Sequence, residues 1–161
     1  MTILKFVYTV FIGVLLATFV GVGISAFYTS PEQLEYPHEM RPIPVALDDK
    51  CASPTAEIIE EQKEFEKASS KHEEKMEAYN RNVSIIALIS AIIILVVSLT
   101  LFKQIMVIAD GLLLGGVLTL IYSIIRGFEA GDEMFRFVVV SIGLTVSLIL
   151  GYIKFIKTSK K

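Results

Sequence analysis

The stretch that decides the fold runs from Ser53 to Phe102, and it reads SPTAEIIEEQKEFEKASSKHEEKMEAYNRN followed by VSIIALISAIIILVVSLTLF. The first part is charged and rich in helix-forming residues, whereas the second part, from Val83 onward, is almost wholly apolar. Neither glycine nor proline interrupts the stretch after Pro54, so both parts can belong to one helix. Ser53 suits the N-cap of that helix and Pro54 its first turn. We therefore predict a charged helical stalk, residues 53–82, that continues into a membrane-crossing helix.

One face of the stalk carries a seam of residues at heptad spacing. Its members are Ile58, Phe65, His72 and Tyr79, with Gln62, Ser69, Met76 and Val83 four residues after each. This spacing is typical of a helix that packs along a narrow face. Only half of the seam is apolar, so it predicts either a solvated helix that rests on a neighbouring segment or a weak coiled coil between copies. His72 is the one seam residue whose charge changes near neutral pH, so a pH- or ligand-responsive sensor is a further functional possibility, although a solvent-exposed histidine is the more common case.

Outside the stalk the composition is that of a membrane protein. The chain has 161 residues, 53% of them hydrophobic, and the apolar residues gather in runs instead of alternating. Four runs, 6–27, 83–102, 105–125 and 137–155, each come close to the ~20 residues that cross a hydrocarbon core. The sequence thus predicts an all-α, polytopic membrane protein, a four-helix transmembrane bundle whose second helix is continuous with the stalk.

Composition also divides the chain into five segments. The first apolar run is longer than the core of a cleaved signal peptide, so we expect it to remain as a membrane helix. The linker that follows holds four prolines and is typical of an extended spacer, although Arg41–Pro44 also fits a partner's aromatic groove. The segments are 1–28 (first transmembrane helix), 29–52 (proline-rich linker), 53–82 (stalk), 83–156 (transmembrane helices two to four) and 157–161 (basic tail).

Small residues recur at intervals of four in three of the apolar runs. Small residues on one face of a membrane helix let another helix approach closely. We therefore expect helix packing, within the chain or against a partner, at these positions. They are Gly13, Ala17 and Gly21 in the first run, Gly111 and Gly115 in the third, and Gly143, Ser147 and Gly151 in the fourth.

Asp110 is the main polar residue inside the apolar runs. An ionisable residue within a crossing is by default a candidate for ion or proton handling. The structural interpretation is that Asp110 lies in the first turns of a helix, where the helix dipole favours a carboxylate and Lys103 is near in sequence. We count no basic residue in the membrane interior to match it.

The sequence lacks the usual signatures of catalysis. It contains no HExxH, GxSxG or phosphate-binding glycine loop, and no Cys/His cluster with metal-ligand spacing. The single cysteine, Cys51, cannot form a disulfide within the chain. Basic residues are interleaved with acidic ones, which does not resemble a nucleic-acid footprint. We therefore expect no enzyme activity, no cofactor or metal, and no nucleic-acid partner.

Charges near the ends of the runs bear on orientation. Four crossings place both termini on one side, and the count of Lys and Arg on the two sides is nearly equal. The cluster Lys154, Lys157, Lys160 and Lys161 favours cytoplasmic termini, with linker and stalk outside the cell and the protein in the plasma membrane. We also expect Arg126 and Arg136 to pair with acidic residues between 129 and 133.

The leading functional hypothesis is a non-catalytic integral membrane subunit or scaffold. It assembles, as a homo-oligomer or with other membrane subunits, through the small-residue helix faces, and it presents the charged stalk to a partner. The alternative is an oligomeric ion or proton channel, or a small transporter, with Asp110 facing an aqueous path.

Overall fold

The described residues of the computed structural model, 3–32, 56–101 and 105–157, form helices and no strand. The helices are α1 (Ile3–Phe27), α2 (Ala56–Leu101), α3 (Met106–Phe128) and α4 (Glu133–Gly151), and α4 continues as a π-helix, Tyr152–Lys157. Four helices are long and apolar enough to cross a membrane, which confirms the all-α prediction and indicates a membrane protein. The expected helix start at Ser53 and Pro54 lies outside the described residues.

The chain divides into two compact units, and α2 contributes to both. One unit consists of Pro31–Met76 and the other of Met1–Ser30 with Glu77–Lys161. In the first of these, the residues between 63 and 76 that are half-buried are the seam residues Phe65, Ser69, His72 and Met76, and the others are exposed. The exposure pattern thus follows the heptad spacing.

In the larger unit, α3 packs closely against α1. A Cβ atom added to Gly111 would lie 2.8 Å from the Ile12 side chain, and one added to Gly115 would lie 2.8 Å from Leu16. Gly13 of α1 meets Leu114 in the same way. The residue number of the contact increases along α1 as it increases along α3, so the two helices run parallel.

The neighbouring glycine of α3, Gly116, contacts α2. A Cβ atom there would lie 2.6 Å from Leu95, which is 1% exposed. Nearer the other end, Ser84 of α2 donates a 2.8 Å hydrogen bond to the backbone oxygen of Ser123, and Ser123 returns one of 2.8 Å to the backbone oxygen of Ser84. We call this reciprocal pair the serine clasp. Small side chains therefore bring α2 and α3 together, and the two helices run antiparallel.

The fourth helix lies antiparallel on a third side of α3. Val139 is 2% exposed and lies near Gly127, and Gly143 lies against Leu120 and Ile124. The rest of α4 presents large apolar side chains outward, and so does most of α1. This outward apolar surface is what a hydrocarbon solvent requires.

The turn between α3 and α4 explains why α4 starts before its apolar run. Asp132 caps the helix by accepting hydrogen bonds from the backbone N–H groups of Met134 and Phe135. Gly131 has a φ of 73°, in the left-handed region that glycine adopts without steric cost. The Glu77 carboxylate occupies the space that a side chain at 131 would need. Hydropathy predicts the apolar part of α4, and the Asp132 cap determines where the helix begins.

Replacing Gly116 with valine tests the central role of α3. We expect Gly116→Val to destabilise the protein by about 1–3 kcal/mol, because the added atoms overlap the buried Leu95 side chain. The measurement is denaturant or thermal unfolding in a mild detergent. Gly23→Val is the matched control, since a Cβ at Gly23 has nothing within 4 Å. Equal effects of the two substitutions would contradict the packing argument.

Candidate functional site

The candidate site at one end of the bundle is an ion pair between Asp110 and Lys154. We call this end the terminal end, because Ile3 of α1 and the last residues of α4 lie there. The Lys154 Nζ atom donates a 2.8 Å hydrogen bond to Asp110 Oδ1, and the side chains are 22% and 15% exposed. Asp110 is the fifth residue of α3, about 6 Å along the axis from its first. The pair is therefore largely withdrawn from solvent near one end of the apolar segment.

This partner corrects the sequence analysis, which counted no base to match Asp110. Contacts between α3 and α4 join residues at similar sequence distances from the turn, as Gly127 with Val139 and Ile124 with Gly143 show. Continuing that pairing by several turns brings Asp110 opposite Lys154. Lys154 lies in the π-helical segment that continues α4. Lys103, the partner considered from sequence, lies outside the described residues.

A hydroxyl group joins α2 to the same end of α3. Ser98, 1% exposed, donates a 2.7 Å hydrogen bond to the backbone oxygen of Ala109, the residue before Asp110. The start of α3 is thus bonded to α2 through Ser98 and to the π-helical segment after α4 through Lys154. Neither partner belongs to a recognisable sequence motif, and the antiparallel register across the short 102–104 connection is the signal that points to Ser98.

A second polar cluster, the Arg126 network, lies at the opposite end of the bundle. Arg126 donates hydrogen bonds to Asn80 Oδ1 (3.0 Å), Glu129 Oε2 (2.9 Å) and the Tyr122 hydroxyl (3.2 Å). Asn80 is 5% exposed, and its amide donates to the Glu129 backbone oxygen at 3.4 Å. The expected pair of Arg126 with an acidic residue is present. The role of Asn80, which links α2 to this network, was not foreseen.

Arg136 behaves differently from the expectation. Its guanidinium group lies 6.0 Å from the centre of the Phe128 ring, and its buried Nε atom has no hydrogen-bond partner. The neighbouring carboxylate, Asp132, is engaged in capping α4. The arginine thus makes a cation–π contact with an aromatic ring instead of an ion pair with the acidic turn.

The predicted small-residue faces are used unequally. Gly13, Gly111, Gly115 and Gly143 each contact another helix of the chain. Among the described residues, nothing lies within 4 Å of a Cβ added to Gly21 or Gly151, Ala17 is half-buried and Ser147 is exposed. Packing at Gly21, Ser147 and Gly151 stays a prediction.

The stalk seam reaches the larger unit through its last two members. Tyr79 is 8% exposed and Val83 is fully buried, and both belong to a cluster with Ile24 and Ala87. The Tyr79 ring stacks on Tyr28 with centroids 5.2 Å apart. Ile58 and Gln62 are not described at the level of side chains, so the seam can be followed only from Phe65 onward.

The chemistry that these clusters can perform is association between helices. The serine clasp, the Ser98 bond, the ion pair and the Arg126 network each satisfy a polar group on one helix with a polar group on another. Comparison with protein-family models, curated proteins and solved structures finds no match to this chain. The function must therefore be argued from the arrangement itself.

A double-mutant cycle tests the ion pair. We expect Asp110→Asn and Lys154→Gln each to destabilise the protein, and the coupling free energy between them to be about 0.5–3 kcal/mol, as for contacting groups shielded from water. The measurement is the free energy of unfolding of both single variants and the double variant in detergent.

The cycle Arg126→Gln with Glu129→Gln is the matched control for that prediction. Those side chains are more exposed, at 29% and 49%, so their coupling should fall within about 0–1 kcal/mol and shrink in salt. A coupling for Asp110 and Lys154 no larger than that of the control would show that the pair contributes little.

Proposed function

We propose that this protein is a non-catalytic integral membrane subunit or scaffold. Its four helices would cross the membrane as a bundle, and the charged first part of α2 would be presented to a partner outside the bilayer. The observation that supports the proposal is that buried polar groups form hydrogen bonds between helices of the same chain. Ser84, Ser123 and Ser98 bond to other helices of the same chain, and Asp110 bonds to Lys154.

This use of polar groups supports a structural role because a membrane helix gains association energy from such bonds. In hydrocarbon, helices associate through packing and interhelical hydrogen bonds, since lipid tails offer them no hydrophobic driving force. Bonds of this kind fix α2, α3 and α4 to one another. They favour a stable bundle over a set of helices that rearranges during a transport cycle.

The channel alternative requires Asp110 to face an aqueous path. The 2.8 Å bond to Lys154 weighs against it, because a neutralised carboxylate offers less to a passing cation. Proton or cation flux in liposomes that Asp110→Asn abolishes would replace the scaffold proposal with the channel.

Assembly would use the faces that the chain itself leaves open. In the part of the chain that the structure describes, an added Cβ at Gly21 or Gly151 meets no atom within 4 Å, and Ser147 is exposed. A second copy or another membrane subunit could approach closely there, as it could not at Gly111 or Gly115, which α1 already covers. The partners proposed are thus the lipid bilayer and either further copies or other membrane subunits.

The test of this proposal is the native mass of the complex after gentle detergent extraction. We expect an assembly larger than the monomer, and we expect Gly21→Leu with Gly151→Leu to dissociate it without lowering the unfolding temperature. Gly23→Leu is the control, because Gly23 has equally open space but points away from the Gly13–Gly21 face. A monomeric wild-type protein, or an assembly that survives the double substitution, would contradict the proposal.

For orientation, we propose cytoplasmic termini in the plasma membrane and an extracytoplasmic linker and stalk. The lysines of the last eight residues support this, because positively charged flanks are retained in the cytoplasm. A membrane-impermeant maleimide should then label Cys51 in intact cells. In the variant Cys51→Ser with Lys160→Cys, labelling should require lysis. The reverse pattern would invert the topology.

A further inference from the structure

We propose that the stalk seam is the docking surface for this chain's own proline-rich linker, which runs along the seam toward the start of α2. The inference goes beyond the proposed function, because it concerns how the chain covers its own stalk and does not depend on assembly. Two observations carry it. One is the burial of the seam within a single chain, and the other is the pair of positions at which the linker begins and ends.

The burial of the seam comes from something other than the helix that carries it. Ser69 and Ser70 have the same side chain and are neighbours on α2, yet Ser69 is half-buried and Ser70 is exposed. On a lone helix, each would be shielded only by the side chains three and four residues away, which are large for both serines. Phe65, His72 and Met76 share the face of Ser69 and are half-buried as well. Another segment of the same chain therefore lies over this face.

The compact unit that contains this face leaves one candidate for the covering segment. The unit consists of Pro31–Met76. Residues 56–62 precede Phe65 on the same helix and so cannot lie over it. The rest of the unit is the linker and the three residues that join it to α2.

Both ends of the linker lie on the helix that carries the seam. At one end, the Tyr28 ring stacks on Tyr79, a later member of the seam, and Asn82 donates a 2.7 Å hydrogen bond to the Tyr28 hydroxyl. At the other end, the chain enters α2 at Ala56. The helix rises about 35 Å between Ala56 and Tyr79, and residues 33–55 span up to about 75 Å when extended. The linker is therefore long enough to follow the stalk, and it starts beside the seam.

The composition of the linker suits an extended, apolar fit to this face. Proline-rich backbone favours an extended conformation, and extended proline-rich segments dock on aromatic side chains such as Phe65. The described residues between 63 and 76 that lie outside the seam are charged, except Ala68 and Ser70. A partner of the stalk thus meets its charged faces, while the linker occupies the seam. Apolar side chains for that contact recur along the linker, at Leu34, Tyr36, Met40, Ile43, Val45 and Leu47.

The test is the rate at which a maleimide labels a single cysteine in the whole protein, in detergent and in the background Cys51→Ser. We expect Ser69→Cys to react severalfold more slowly than Ser70→Cys, the matched control, at every protein concentration. Equal rates would overturn the proposal. Protection that grows with protein concentration, together with a disulfide between two Ser69→Cys chains, would overturn it in favour of a coiled coil between copies.

Two further variants test whether the linker is the covering segment. Replacing its six apolar residues with serine should raise the Ser69→Cys rate to that of Ser70→Cys, whose own rate stays unchanged. Phe65→Ala should have the same effect with the linker intact, whereas Lys67→Ala, on an exposed face, should not. Continued protection of Ser69→Cys in the linker variant, or in Phe65→Ala should the linker variant not fold, shows that the linker does not dock there.

The failure of the proposed function is distinguishable from the failure of this inference. A monomeric protein in which the linker protects Ser69→Cys would overturn only the assembly proposal. An assembled protein in which the linker variant leaves Ser69→Cys protected would overturn only the docking of the linker.

Discussion

The structure depends on the absence of side chains at two neighbouring positions of α3. Gly115 and Gly116 point to different sides of the helix, since successive residues are 100° apart, and each receives a leucine of another helix. Leu16 of α1 fills one site and Leu95 of α2 the other. Two helices therefore approach the backbone of α3 at the same level. No single larger residue at either position could preserve both contacts.

Close approach then makes short hydrogen bonds between helices available. The serine side chain is short. Ser84 and Ser123 can therefore bond to each other's backbone only where the two helices are in close contact. Both serines are fully buried, and each carbonyl that accepts also serves its own helix. A polar group that would be costly in hydrocarbon thus becomes an attachment between helices.

The helices could be predicted from the sequence because hydropathy and helix propensity are local properties. The unbroken stretch from Pro54 to Phe102 predicts α2, which the structure describes from Ala56 to Leu101. The hydrogen-bond partners of a residue on another helix are not a local property. Only the antiparallel register of neighbouring helices could have predicted them. That register places Lys154 opposite Asp110 and Ser98 opposite Ala109. Counting residues outward from each short turn would have found both, whereas a search for motifs could not.

Some features lay beyond any pattern in the residues. Small-residue spacing does not distinguish Gly13, which α3 covers, from Gly21, where an added Cβ meets no atom of the described residues within 4 Å. The angle at which the helices cross decides which part of the face is used. Arg136 likewise has acidic neighbours in sequence but lies over Phe128. The Asp132 carboxylate caps α4 and so does not pair with Arg136. The backbone geometry of the turn determines which of these two interactions Asp132 makes.

Both ends of α3 are bonded to other helical segments of the chain, and this limits how α3 can move. Asp110 bonds to Lys154 of the π-helical segment after α4, and Arg126 bonds to Asn80 of α2. Sliding α3 by one turn, about 5.4 Å, would break both sets of bonds and remove Leu16 and Leu95 from their glycines. Side chains packed into glycine sites have no intermediate position to occupy. A displacement of α3 along its axis is therefore opposed at both of its ends and at the two glycine sites between them.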